Sequence, residues 1–585
     1  MTDSGSTSTR VCNVLVVGSG AAGMRAAIAA HEAGSDVVVV GKRPHLDAHT
    51  VLASGGINGA LGTRDAEDSW QQHYADTVRE GYFLSHPRVV EIMAREAAAA
   101  IEELAGWGCE FARTDDGRLD QRYFGAHYYR RTCYAGDFTG RAMLRTIHRR
   151  AQEIGVRPVI EDTYVARLLV ADGTCFGALA FDLHSGERTV FLADAVLVCT
   201  GGHTRLWRRT TSRRDENFGD GFGLLLEAGA ELMDMELVQF HPTGMMWPED
   251  VAGQLVTEAV RGEGGRLYNA EGERFMQRYD PERMELSTRD RVALAMYTEI
   301  AEGRGTPRGA LLLDITHRSK DFILEKLPRM YRQFIEQEML DISKVPMEVA
   351  PTAHYSMGGV VVDPETHATV VAGLYAAGEV TGGLHGANRL GGNSLAETII
   401  AGRRAGEAAA RFAEEDEVVL RSRRVIAEAG AELDALVGPG EELARPLQRT
   451  VRDLMWRHCG VSRNEAGLRS ALAGLGDVRA TLPSIDVRPG AEGWSDLAHA
   501  LDLRMGLLAA EATVVGALAR RETRGAHNRT DFPDLDPGLQ VNFYTSLGDS
   551  GISIRSEPVP SASPELDEII RTAPKVEAGA DRLLE

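Results

Sequence analysis

Apolar residues are bunched at the start of this chain. Val11 to Val17 is a short, nearly continuous apolar run, the pattern of a strand buried on both faces. It breaks at Gly18-Ser19-Gly20-Ala21-Ala22-Gly23, and an Ala-rich stretch of helical period follows to about Ala33. Asp36 to Val40 is a second buried-strand run. The order predicts strand, glycine turn, helix and strand. Two later segments repeat the strand-then-glycine pattern: Asp194 to Gly202, and Gly373 to Glu379, which ends in an acid. The domain that these runs share is therefore predicted to be discontinuous. From about Glu414 to Arg529 the chain is rich in Ala, Leu, Glu and Arg with helical periodicity. After Thr530 the pattern is irregular and carries several prolines.

These readings predict an α/β protein. A discontinuous Rossmann-like domain spans 1–241 and 351–413, with an inserted α+β capping domain at 242–350. A helical domain follows at 414–529 and a C-terminal extension at 530–585. A chain of 585 residues exceeds a single core, so several domains are expected.

The glycine turn has the Gly-x-Gly-x-x-Gly spacing in its required context, strand before and helix after. Gly18, Gly20 and Gly23 permit a tight turn and close backbone approach, and the helix that opens at Ala21 and Ala22 aims its N-terminus at a pyrophosphate. The second strand ends in Gly41-Lys42, so no acid is available there to hold an adenosine ribose. A basic residue at that point also suits an NADP phosphate.

Composition adds exclusions. The formal charge is −21, which argues against nucleic acid as a partner but leaves room for an acidic substrate in a local Arg/His pocket. The six cysteines include no C-x-x-C pair, so no zinc, iron–sulfur or c-type haem site is expected, and reduced thiols in a cytoplasmic compartment are the simplest reading. Met1 to Arg10 is polar and lacks the apolar region of an export signal. No apolar run reaches the roughly 18 residues of a membrane span, so any membrane association is expected to come through partners.

About 30 residues beyond the glycine turn lies Asp47-Ala48-His49-Thr50-Val51-Leu52-Ala53-Ser54-Gly55-Gly56-Ile57. This segment resembles the flavin-attachment segment of the succinate dehydrogenase and fumarate reductase flavoproteins. Four further stretches, in order, extend the resemblance over nearly the whole chain. They are Gln239-Phe240-His241-Pro242-Thr243-Gly244, Thr257 to Gly265, Ser287-Thr288-Arg289-Asp290, and the pair Ala353 to Gly359 and His385 to Leu395.

The resemblance implies FAD, bonded through the His49 ring, as a two-electron acceptor more oxidising than NAD. It implies flavin contacts from the Gly18–Gly23 turn, Lys42, His49, Thr50, Gly55, Gly56, Asp220, Glu379, Arg389, Ser394 and Leu395. Asp220, in Asn217-Phe218-Gly219-Asp220-Gly221, resembles the family's adenosine-ribose site and would supply the acid missing at Gly41. A C4 dicarboxylate needs donors at both ends. Arg389 offers a planar fork for one carboxylate with His354 beside it, and His241 and Thr257 resemble the donors for the other. Arg289 is implied to transfer the proton, with Glu258 and Arg261 as its relay. One position departs from the family, which commonly has Gln or Glu before the Gly-Gly where this chain has Ser54.

The expected function is succinate oxidation to fumarate as the flavoprotein subunit of succinate dehydrogenase. Electrons would pass to an iron–sulfur subunit, then to a membrane anchor and quinone, at the cytoplasmic side of the membrane. The alternatives are fumarate reduction in reverse and soluble L-aspartate oxidase. The last lacks a flavin-linking histidine, so His49 speaks against it. A soluble fumarate reductase with extra redox domains finds no haem motif here. A flavin-binding assembly factor is opposed by the retained Arg289, His241, His354 and Arg389.

Overall fold

A computed structural model describes residues 7–415, 420–490 and 493–575. The first six residues of the polar lead and the last ten of the predicted extension lie outside them. At the centre is a six-stranded sheet. Strand Ser8–Val17 pairs in parallel with Val37–Val40 on one side and Arg188–Val198 on the other. The far edge of Arg188–Val198 is shared. Its first half pairs antiparallel with Thr174–Asp182, and its last three residues pair in parallel with Leu374–Ala376. The two downstream glycine-ended runs thus return to the first sheet.

Alternate residues of these strands serve different cores. Val14, Val16, Val37, Val39, Ala195 and Leu197 pack against helices Ala21–Glu32, Pro87–Gly106 and Asn393–Glu414. Leu15, Val17, Val38, Val40, Val196 and Val198 pack toward helices Asp220–Glu227 and Ser495–Ala519. Burial on both faces is why the sequence runs read as continuous rather than alternating. Helices Ala21–Glu32 and Asn393–Glu414 meet at backbone distance: a Cβ on Gly402 would lie 2.5 Å from the Ala22 carbonyl oxygen, and one on Gly406 2.3 Å from that of Ala26. This close crossing brings the start of the late helix, with Ser394 and Leu395, to the glycine turn.

The insertion carries a second, antiparallel sheet in the order Val238–Met245, Met347–Ser356, Leu311–Asp314, Arg266–Tyr268, with its own core. The expected boundaries at 241/242 and 350/351 both fall inside strands of this sheet. The chain therefore enters and leaves the cap along two paired strands, whose pairing resumes beyond an irregularity between His241 and Gly244.

The tail is more regular than its prolines suggested. Val541–Gly548 and Gly551–Pro558 form a hairpin that pairs with Leu232–Met233, and Pro564–Thr572 is a helix. Pro558 stands at a strand end and Pro564 in the first helical turn, where no backbone N–H is required. All six cysteines are buried free thiols, and no described helix is long and apolar enough to cross a membrane.

Candidate functional site

A long cavity runs from the glycine turn to the cap. Gly18, Gly20, Ala21, Ala22, Lys42, His49, Thr50, Gly55, Gly56 and Asp220 line it, as do Glu379, Ser394 and Leu395. So do His241, Thr257, Glu258, Arg289, His354 and Arg389. Residues separated by more than three hundred positions thus share one wall.

Two expected residues do not line it. Gly23 lies beneath the turn, where a Cβ would meet the Gly18 carbonyl oxygen at 1.9 Å, so its part is close helix–strand packing. Arg261 is wholly buried behind Glu258.

At the nucleotide end, Gly18 has φ +117° and a Cβ there would strike the Cys199 carbonyl at 2.2 Å. Only glycine fits this turn. The Thr50 hydroxyl accepts from the first helical N–H, Ala21 N, at 3.2 Å. Thr200 Oγ1 is buried on the wall with no hydrogen-bond partner among the described residues, and the first residues of helix Ala21–Glu32, Ala21 and Ala22, line the same cavity. This donor set fits a dinucleotide. Lys42 Nζ reaches Asp220 at 2.9 Å and Asp502 at 3.2 Å. Burial would discharge the lysine, but the two carboxylates outweigh it and hold Lys42 charged. Asp502 comes from the helical domain and had no sequence signal toward this site.

His49 opens a short 3₁₀ turn, His49–Leu52. Its Nδ1 pairs with Glu216 Oε1 at 2.9 Å. Glu216 also accepts from Arg213 N at 2.7 Å and Arg213 Nη2 at 3.0 Å. Burial alone would lower the His49 pKa, but Glu216 reverses this and raises it. Burial opposes the charge on Glu216, yet His49 and Arg213 hold it well below the usual carboxylate range. With Nδ1 engaged by Glu216, Nε2 is the ring nitrogen left free of that contact. Glu216 escaped sequence reasoning because 167 residues separate it from His49. Downstream, the Phe124 ring closes over Gly55, 2.6 Å from where a Cβ would stand.

At the cap end three arginines crowd together. Arg289 Nε donates to Glu258 Oε2 at 2.7 Å and its Nη1 to Gln239 Oε1 at 3.0 Å. Arg389 Nη2 donates to the same Gln239 oxygen at 3.1 Å. Its guanidinium also lies 4.2 Å from the centroid of the Tyr355 ring. Arg261 completes the group, 3.8 Å from Glu258. Arg389 forms no ion pair among the described residues, although it is only 4% exposed. Burial, then repulsion from Arg289, lowers its pKa to about 10. His354 and His241 stand edge to face with ring centroids 5.2 Å apart. Burial and the neighbouring arginines push both pKa values well below the ordinary value, so both rings are neutral at pH 7. The Thr257 hydroxyl is buried and accepts from Ala259 N at 3.3 Å. This end of the cavity is a buried, positively charged recess with neutral donors around it, suited to a small polyanion. Gln239 and Tyr355 lay in segments singled out in the sequence, but their parts in bridging and backing the arginines appear only in the fold.

Comparison with known proteins gives this geometry a family. A profile described as "FAD binding domain" matches residues 13–395, and one described as "Fumarate reductase flavoprotein C-term" matches 448–561. The chain belongs to the succinate dehydrogenase/fumarate reductase flavoprotein family. FAD is the cofactor of this family flavoprotein.

Among its relatives is a chain of the "Fumarate reductase (CoM/CoB)" of Methanothermobacter marburgensis, 44% identical over 90% of this chain and 95% of the relative. The "Succinate dehydrogenase flavoprotein subunit" of Rickettsia conorii is 36% identical over 92% and 93%. Among solved structures, Mycobacterium smegmatis Sdh1 in complex with UQ1 aligns with TM-score 0.85 at 38% identity, covering 95% of each chain. A variant E. coli quinol fumarate reductase chain aligns with TM-score 0.90 at 32% identity, covering 95% and 98%.

Proposed function

We propose that this flavoprotein interconverts succinate and fumarate, working in the cell as the flavoprotein subunit of succinate dehydrogenase. The observation that carries this reading is the buried, unpaired Arg389 sharing one amide oxygen with Arg289. Two cations held that close are relieved by an anion between them. Arg389 and His354 hold one carboxylate of the substrate, and Thr257 and His241 hold the other. Neutral histidines serve as hydrogen-bond partners there without adding charge. Arg289 carries the proton at the reacting carbon, and the Arg289–Glu258–Arg261 chain resets it. FAD, when bound, supplies the two-electron acceptor.

In the same reading FAD is bonded to His49 Nε2. Glu216 fixes the ring by holding Nδ1, which also makes the ring a better nucleophile. Glu216→Gln is expected to slow covalent attachment about tenfold, ~1.4 kcal/mol of barrier. In-gel fluorescence of acid-denatured protein along a flavin-loading time course measures it. Equal loading rates would remove Glu216 from the attachment chemistry.

The relatives are named as subunits of larger enzymes, so iron–sulfur and membrane-anchor partners are the proposed electron acceptors. They would place this chain at the cytoplasmic face of the membrane. The 44% identity to a protein named fumarate reductase favours the opposite direction as a second reading. The deciding experiment is gentle detergent extraction from native cells, with iron analysis and paired assays: succinate with an oxidising dye, and fumarate with a reduced one. The expected result is an iron-containing assembly faster at succinate oxidation. Faster fumarate reduction supports the second reading. An iron-free enzyme turning over aspartate with oxygen overturns both.

A further inference from the structure

The cap sends one side chain to the flavin-attachment loop. Arg329 stands in the first turn of helix Pro328–Glu338, 275 residues from Ser54. Its Nη1 donates to Ser54 Oγ at 3.0 Å and to the Asp137 carbonyl at 3.3 Å. The Asp137 carboxylate stays beside this helix N-terminus but off the cavity wall: its Oδ2 accepts from the Arg329 backbone N–H at 2.9 Å, and its Oδ1 has no hydrogen-bond partner among the described residues. Among the described residues no carboxylate forms an ion pair with the Arg329 guanidinium. Ser54 is buried, and its hydroxyl proton goes to the Leu52 carbonyl at 3.2 Å. Ser54 therefore brings no charge to this edge of the cavity. Arg329 brings one, and both residues line the wall with His49, Gly55 and Gly56.

We propose that Arg329 is a positive charge which the cap delivers to the flavin edge of the cavity, raising the two-electron reduction potential of the bound flavin. The proposal rests on the reading that the redox-active ring lies along the His49–Gly56 loop. Two-electron reduction adds negative charge to that ring. A cation in the same low-dielectric pocket stabilises the reduced state more than the oxidised one. Arginine holds its proton under all working conditions, so the effect is constant with pH. Because Arg329 belongs to the cap, the flavin is at its most oxidising when the cap is seated, with Asp137 gripping the helix and the guanidinium on Ser54. Arg329 acts here as a positioning and tuning residue.

The test is the reduction potential of the FAD-loaded full-length protein without substrate, read by equilibration with a reference dye during slow reduction. Arg329→Gln and Arg329→Met are expected to shift that equilibrium about tenfold against the reduced flavin, ~30 mV for a two-electron couple. Arg329→Lys keeps the charge and should stay within about twofold of wild type. Ser54→Ala removes the anchor but not the cation and should fall between. An unchanged potential in either neutral variant overturns the proposal. A raised KM for succinate with wild-type potential also overturns it, assigning Arg329 to substrate binding. The underlying reading fails separately, by flavin absent from the wild-type protein or by wild-type FAD loading and potential in a variant that fills the cavity at Gly55.

Discussion

Arg289→Lys is expected to lower kcat about 10²–10⁴-fold, the range that a well-placed proton-transfer group contributes. Dicarboxylate affinity should change by less than about tenfold. The guanidinium is fixed by two partners at once, Glu258 on Nε and Gln239 on Nη1. Lysine is a point charge and cannot hold both while presenting a third N–H to the substrate. Arg389 remains to bind carboxylate, so binding and turnover separate. Arg389→Lys should behave differently, losing the two-pronged hold on the carboxylate and raising Kd along with the loss in kcat. Stopped-flow reduction of the flavin by succinate, with malonate titration for binding, reads both. Wild-type turnover in Arg289→Lys would rule out its assigned role.

His49→Ser is expected to keep FAD in the cavity and lose about a hundredfold in succinate oxidation, ~2.7 kcal/mol of barrier. The nucleotide end is built without the His49 side chain: the Gly18 turn, the helix N-terminus and the Lys42–Asp220 pair make no use of it. What disappears is the substituent on the flavin, which in this reading makes it oxidising enough for an unactivated carbon–carbon bond. Fumarate reduction, which asks for a less oxidising flavin, should suffer less. Acid precipitation should release all the flavin from the variant and little from the wild type. Acid-releasable flavin in fully active wild-type protein would refute the bond.

The sequence by itself determined the parts of this protein that follow from local order. Buried-strand runs, a glycine turn and a helical stretch are short-range patterns, and Val11–Val17, Ala21–Ala33 and Asp36–Val40 each fold close to where their pattern places them. The residues of the recess were legible too, since Arg289, His354 and Arg389 sit in short segments whose order resembles one family. The tail was misread because proline was taken as a sign of irregularity, whereas the hairpin it hides is stabilised by pairing with Leu232–Met233, some 300 residues away. Other features had no trace in spacing at all: Glu216 on His49, Asp502 on Lys42, Gln239 bridging two arginines, and Arg329 on Ser54. Each is a polar contact across long sequence separation. Its partner is chosen by which groups the packed helices and the cap bring into the same buried space, where an unpaired charge or donor is costly. Local pattern thus settled the elements and the chemistry on offer. Only the tertiary structure decided which charges are neutralised and which, like those of Arg389 and Arg329, are left facing the cavity.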